Sequence, residues 1–299
     1  YIRLNSAWGK EGNVYVLANG ERTVNSIDAA GNEKVVYTAD ENVGRVSLWP
    51  SKTLPHTLYI VTMTKGAAAE NPELQPFGMF LIDTEARSST PMLSKNLEMF
   101  IGLEIVGEMT SGDVVYCECN REGGEGVGGT LFAWRRATGK TERLREFSAG
   151  SLWMLEGTDT LVFGGINDVV ANPLISYDLK TGKEKTVWRF PGKNEWGFIS
   201  VNTYSKQALA ISQSGTYVIS LTNGKTTFEK RWSQSEPQNV DGVWYPLATR
   251  EGEYFKGMGQ MDREAGLLTL KEDGFHLQKL PRNEVIGYVD SGALLLGSR

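Results

Sequence analysis

The sequence is poor in the groups that catalysis and metal binding draw on. Among 299 residues there are two cysteines, Cys117 and Cys119, and two histidines, His56 and His276. Two residues apart on a strand, the cysteines point to one face, which disfavours a mutual disulfide. Cys-Glu-Cys could clip a soft metal, but no further cysteine or nearby histidine completes four ligands. The adopted reading is two small buried thiols. His56 follows Pro55 at the start of a strand, and His276 follows the Asp273-Gly274 turn. Both read as surface hairpin positions, a poor setting for a base held against a nucleophile. No Gly-x-Ser-x-Gly elbow occurs, so serine hydrolysis is not expected. No apolar run approaches the roughly 20 residues that span a bilayer, and no signal peptide is recognisable. The first residue is Tyr1 rather than Met, so a processed or trimmed product is expected. No Asn-x-Ser/Thr sequon occurs.

A large excess of one charge is also missing. Lys and Arg number 31 and Asp and Glu 36, a net charge of −5. A weakly acidic surface without basic clusters argues against nucleic acid as a partner, because phosphate binding needs grouped cations. Short basic runs such as Arg135-Arg136 and Lys230-Arg231 read as solvated faces. At this length the chain can bury a large core, and all-β architectures often fill such a length as one domain.

What is present is a repeat. Thr130-Leu-Phe-Ala-Trp-Arg-Arg-Ala-Thr-Gly-Lys140 resembles Pro173-Leu-Ile-Ser-Tyr-Asp-Leu-Lys-Thr-Gly-Lys183, and Thr216-Tyr-Val-Ile-Ser-Leu-Thr-Asn-Gly-Lys225 is a third copy. Weaker copies run over 23–31 and 266–274, and one at Met79–Glu85 lacks the turn glycine. Apolar and polar residues alternate in each copy, marking strands with two different faces. The turn glycines at 139, 182, 224 and 274 are 43, 42 and 50 residues apart. A spacing of this size filled only by strands is the signature of propeller blades. Trp49, Trp153, Trp196 and Trp244 recur in segments such as Ser47–Pro50, Ser151–Met154 and Gly242–Tyr245, read as the innermost strand of each blade. Second strands follow at Thr57–Met63, Asp113–Cys117 and Thr160–Phe163. No long segment has a 3.6-residue period, and 251–264 is the least strand-like stretch.

The fold expected is therefore all-β: one propeller domain over residues 1–299, with blades of about four antiparallel strands. Seven blades are expected, with six as the alternative. Tyr1–Leu4 would pair with the C-terminal hairpin to close the ring, since an open edge invites aggregation. The Leu/Tyr-x-x-x-Asp-x-x-Thr-Gly-Lys pattern, clearest at 174–183, resembles the repeats of bacterial WD40-like propellers of the TolB and YVTN types. It is similar, more distantly, to quinoprotein repeats. The Trp-Asp and Gly-His pairs of eukaryotic WD40 repeats are absent. The resemblance implies architecture and carries over neither a catalytic residue nor a cofactor.

Candidate sites follow from this frame. The four tryptophans either ring the channel mouth, where they could stack on a sugar or clamp a peptide, or wedge between blades. Connections between second and third strands are expected to be long at 65–76, 120–129 and 165–172, and long loops on a rigid scaffold are where binding resides. They carry Glu70, Glu73, Arg121, Glu122, Glu125, Asn167 and Asp168. None has Asp-x-Asp-x-Asp spacing, so no Ca²⁺ site is implied. The glycine run 123–129 lacks a Gly-Lys-Ser/Thr ending and reads as a connection within one blade. Glu98, Glu104, Glu156, Glu195 and Asp241 lie on or beside inner strands, where a pair could support glycoside cleavage. The expected function is non-catalytic recognition of a protein or glycan through the loop-rich face and channel mouth. Ligand-binding candidates are Trp49, Trp153, Trp196, Trp244, Glu70, Arg121, Glu122, Asn167 and Asp168. No cofactor, metal, nucleic-acid partner or membrane insertion is expected, and the expected location is extracellular or in the cell envelope. A carbohydrate-active hydrolase or lyase using channel carboxylates, and a scaffold or sensor domain of an envelope assembly, are the alternatives.

Overall fold

A computed structural model of the chain describes most residues from 6 to 231, and beyond them the backbone of six strands between 243 and 297. Within the first stretch, residues 19–21, 67–70, 72, 99, 121–126, 150, 168–169, 193–196, 204 and 213–214 lie outside the described set. So do 1–5, and with them the expected closing strand at Tyr1–Leu4.

All regular structure among the described residues is β. Five sheets are four-stranded antiparallel meanders whose strands pair in chain order. The first holds β1 Ser6–Trp8, β2 Val14–Ala18, β3 Thr23–Ile27 and β4 Glu33–Thr38. The second holds β5 Val43–Pro50, β6 Thr57–Thr64, β7 Leu74–Asp83 and β8 Ser88–Glu98. The third holds β9 Ile101–Glu108, β10 Val114–Asn120, β11 Val127–Arg135 and β12 Lys140–Ala149. The fourth holds β13 Ser151–Met154, β14 Thr160–Asn167, β15 Val170–Asp178 and β16 Glu184–Trp188. The fifth holds β17 Gly197–Asn202, β18 Gln207–Ser212, β19 Gly215–Ser220 and β20 Thr226–Arg231. Three hairpins follow: β21 Val243–Ala248 with β22 Glu253–Met258, β23 Gly266–Lys271 with β24 Gly274–Lys279, and β25 Glu284–Tyr288 with β26 Leu294–Gly297.

The chain divides into two compact units. One is Tyr1–Gly123 with Val127–Phe147, and the other is Gly124–Gly126 with Ser148–Arg299. In the first unit, β1 lies beside β5 and β5 beside β9. In the second, β17 lies beside β21. At these three junctions first strands neighbour first strands, whereas between the fourth and fifth sheets β17 lies beside the second strand β14. Burial follows the same order. β6 is a run of β-branched and aromatic residues, with Leu58, Tyr59, Ile60 and Val61 all buried. The fourth strand of that sheet, β8, is exposed along most of its length. In β12, Lys140, Glu142, Arg143, Arg145 and Glu146 mark the sheet edge with charge, which discourages edge-to-edge pairing.

Apolar faces pack between sheets. In the first unit Tyr15, Val24, Val46, Leu58, Ile60 and Ile82 join the first sheet to the second. Val61, Phe77, Met79, Leu97, Leu103 and Tyr116 join the second to the third. In the second unit Val162, Leu174, Val201, Ala208, Tyr217 and Ile219 join the fourth and fifth sheets.

One end of the second to fifth meanders is tied by a common device. The residue after the third strand donates its N–H to the turn between the first two strands: Thr84 to His56 O at 2.8 Å, Leu179 to Asp159 O at 2.9 Å, and Leu221 to Lys206 O at 2.8 Å. In the third sheet Arg136 N uses the Asp113 carboxylate instead, at 2.9 Å. The turn between third and fourth strands is the repeat read from sequence. At Asp178–Lys183 the aspartate Oδ1 accepts from Lys180 N and Thr181 N, and Gly182 N donates to Asp178 O at 2.8 Å. In the copy that lacks the glycine, Arg87 takes the left-handed conformation with φ of 55°.

One expectation needs correction. Residues 165–172 are not a long loop: β14 and β15 run on through it, pairing Gly165 with Asn172, Ile166 with Ala171 and Asn167 with Val170. Within 251–264, the least strand-like stretch, Glu253–Met258 forms a strand paired with Val243–Ala248.

Gly182 offers a clean test of the turn. Its φ is +69°, and an added Cβ would meet only Tyr177 Oη, at 3.8 Å. Gly182→Ala is therefore expected to cost about 1–2 kcal/mol through left-handed strain alone. The cost is read as a lowered urea midpoint with an unchanged m-value.

Candidate functional site

In the second and third sheets the end of β6 and start of β7, and the end of β10 and start of β11, lie at the end of the sheet where the fourth strand leaves. In the second sheet the outer hairpin runs on at that end. β7 and β8 stay paired out to Leu74 and Glu98, well past the last pair of β6 with β7 at Met63 and Phe77.

A shallow, solvent-open hollow with a cavity volume of about 10 Å³ lies at this end, between the second and third sheets. Arg45 and Ser47 of β5 and Glu104 of β9 give it a guanidinium, a hydroxyl and a carboxylate, all half-buried. Val61, Met63, Phe77 and Leu103 form its apolar lining, and all but Met63 are buried. Phe100, on the connection that enters β9, is the most exposed large apolar side chain among the described residues, at 60%. Lys95 of β8 pairs with Glu118 of β10 and stands 5.1 Å above the Phe132 ring, joining the two walls. The arrangement sets a cation, a hydroxyl and an anion around an apolar floor.

At the opposite end of β9, four residues further on and roughly 13 Å away, Glu108 fixes how those walls meet. Its side chain has no exposure to solvent. Oε2 accepts from Lys52 N at 2.8 Å, Thr53 N at 2.9 Å and Ser51 Oγ at 2.9 Å. Oε1 accepts from Thr53 Oγ1, Tyr59 Oη and Arg136 Nη2, each at 2.7 Å. One carboxylate of the third sheet thus holds the 51–57 turn and β6 of the second. Burial alone would push its carboxyl pKa up. The hydrogen bonds from Thr53, Tyr59, Lys52 and Ser51 outweigh burial and hold it below the ordinary glutamate range. Burial and then the Glu108 charge push the Tyr59 hydroxyl upward. Gly112 makes room for the cation: a Cβ there would sit 2.7 Å from Arg136 Nη1.

This overturns the reading of Arg135-Arg136 as a solvated face. Arg136 is the counter-charge of a buried carboxylate, and Arg135 bridges Asp113 at 2.9 Å and Glu142 at 2.6 Å. Glu108 itself escaped the sequence-based candidates. The available signal was an acid closing the apolar strand Ile101–Gly107.

The expected site residues fall in several places. Trp49 shares a face of β5 with Arg45 and Ser47, at the turn end of the strand. Its ring centroid lies 6.0 Å from that of Tyr59. Trp153 is half-buried against the core that joins the fourth and fifth sheets. Asn167 ends β14, paired with Val170, and Trp244 lies in β21, paired with Gly257. Trp196, Glu70, Arg121, Glu122 and Asp168 lie outside the described residues. Cys117 and Cys119 are buried free thiols on one face of β10, with sulfurs 3.5 Å apart. His56 sits in the 51–57 turn with φ of 53°, its side chain 45% exposed and Nδ1 3.9 Å from Glu11. Among the described residues no three His, Cys, Asp or Glu side chains gather as metal ligands.

No family model and no curated protein matches the chain. Solved structures do. A streptogramin B lyase is 13% identical, with 98% of this chain and 89% of that chain covered and a TM-score of 0.54. The WD40 domain of SCAP from fission yeast is 9% identical, with 95% and 76% covered and a TM-score of 0.57. The fold is of the β-propeller type. Sqt1 of Saccharomyces cerevisiae is a further propeller neighbour, at 12% identity, 91% and 72% coverage and a TM-score of 0.52. At such identities the likeness is one of fold alone.

Removing Glu108 tests the tie between the two sheets. Glu108→Ala leaves Arg136 without its partner and five further donors without an acceptor. It is expected to cost about 3 kcal/mol, at the lower end for a broken buried pair because Arg136 retains some exposure. The pH dependence has a definite sign. A carboxyl held below its unfolded value contributes stability at neutral pH that is lost as pH falls through the folded value. The difference in urea midpoint between wild type and Glu108→Gln is therefore expected to be full at pH 7 and to shrink below about pH 4.

Proposed function

We propose that the chain is a binding module, not an enzyme, and that it recognises a protein or glycan through the loop-rich end of its sheets. The observation that carries this reading is the hollow at Arg45, Ser47 and Glu104. It combines both charges and a hydroxyl with an apolar floor, at the end where the connections to β7 and β11 lie. Polar groups of this kind set orientation, and the apolar lining supplies the burial. Propeller neighbours include a lyase as well as WD40 proteins, so the scaffold by itself favours neither class. A place in the cell envelope or outside the cell accords with the resemblance to TolB-type repeats.

The test is to screen the chain against a glycan microarray and a random-peptide display library. Residues 66–70 and 121–126 are then replaced by Asn-Gly turns. Affinity for whatever is captured is expected to fall at least tenfold, while the urea midpoint holds. Affinity that survives both replacements, or the release of new reducing or unsaturated ends from a captured glycan, would overturn the proposal.

A further inference from the structure

We infer that Asn223, in the turn between β19 and β20, is a latent modification site. The folded turn holds it unreactive. Opening of the turn lets it convert to aspartate or isoaspartate, and isoaspartate loosens the fifth sheet from the fourth.

The chemistry comes from the pair Asn223-Gly224. The backbone nitrogen of Gly224 can attack Cγ of Asn223, and no Cβ on the following residue stands in the way. A C–N bond forms, the attacking nitrogen gives up its proton, and the side-chain nitrogen leaves as ammonia. Water then opens the cyclic imide at one carbonyl or the other, giving aspartate or isoaspartate. One water enters and one ammonia departs, with no oxidant or reductant needed. Asn223 is exposed, so water has access.

The fold occupies both reacting groups. Gly224 N donates to Ser220 O at 2.8 Å, which holds the proton of the attacking nitrogen. Asn223 Oδ1 accepts from Lys225 N at 2.9 Å, which holds the carboxamide in an Asx turn. Attack requires both to be released, so the reaction waits on local opening. Two sister turns show what the side chain is there for. Gly139 N and Gly182 N make the same 2.8 Å bond, to Arg135 O and Asp178 O. The residue before the glycine is Thr138 in one and Thr181 in the other. Thr138 Oγ1 accepts from Lys140 N at 3.4 Å, the counterpart of the Asn223 bond. A hydroxyl therefore serves at this position, and of the three turns only that of the fifth sheet carries a group able to cyclise.

The consequence reaches the neighbouring sheet. Gly224 lies so close to β16 that an added Cβ would stand 2.4 Å from Val187 O. Isoaspartate lengthens the main chain by one methylene directly before that glycine and adds a charge. The bond to Ser220 and the approach to Val187 are both set for the shorter chain. Aspartate leaves the backbone unaltered and still accepts from Lys225 N, so its effect is smaller.

The experiment incubates the whole chain at mildly alkaline pH, folded and in urea. The tryptic peptide 207–225 is then read by mass spectrometry, with fragmentation that tells isoaspartate from aspartate. Peptide mapping separates this site from the other pair at Asn19-Gly20. Modification at 223 is expected to be at least tenfold slower in the folded chain, and to speed up in urea below the unfolding midpoint. Asn223→Thr, incubated in urea in parallel, is expected to stay unmodified at 223 and to refold with its starting midpoint. Wild type carrying isoaspartate is expected to refold with a lower urea midpoint than both Asn223→Thr and Asn223→Asp, or to fail to refold where Asn223→Thr succeeds. A folded chain modified as fast as the unfolded one overturns the inference. So does an isoaspartate-bearing chain whose midpoint equals that of unmodified protein.

Discussion

A carboxylate with no access to water organises the best-defined part of this molecule. Glu108 accepts from three side-chain hydroxyls, two backbone N–H groups and a guanidinium, and nearly all of those donors belong to the neighbouring sheet. Apolar packing between sheets tolerates small slides. A charge in low dielectric does not, because each donor lost leaves it undersolvated. The contact therefore sets the relative position of β5 and β9, the two strands whose other ends carry Arg45, Ser47 and Glu104. Precision at the hollow derives from a constraint about 13 Å away along the same strand.

The repeat was legible because turns have hard requirements. Asp178 and Gly182 do what their spacing promised: the carboxylate gathers N–H groups and the glycine takes a positive φ. Alternation along the strands gave the meander, and at three junctions the first strands proved to be neighbours. Arg87 shows how a turn can keep its shape without its glycine, which is why that copy looked weak. The tie between sheets was not legible. Glu108, Arg136, Tyr59 and Ser51 are spread over 51–136, and nothing local couples an acid at a strand end to a cation in a turn 28 residues on. The hollow was half visible. Glu104 was a candidate on its strand, but Arg45 and Ser47 stand out only once β5 and β9 are side by side.

The loop-based expectations fared differently according to local chemistry. The stretch 65–76 does contain a connection, though β7 begins at Leu74. The stretch 165–172 is a hairpin, its residues paired across the two strands. Length between strand signals thus overstated irregular backbone where β-branched residues filled the gap. The β7–β8 pair runs on to Leu74 and Glu98.

The paired thiols of β10 have a consequence outside recognition. Cys117 hydrogen-bonds Cys119, is buried, and faces the Glu104 and Glu118 charges. All of these push its thiol pKa well up and keep it protonated. A protonated, enclosed sulfur is a poor nucleophile. Alkylating reagents would find this sheet inert while it is folded and doubly reactive once it opens. The chain therefore carries its own chemical clock for local unfolding, with no label to be added.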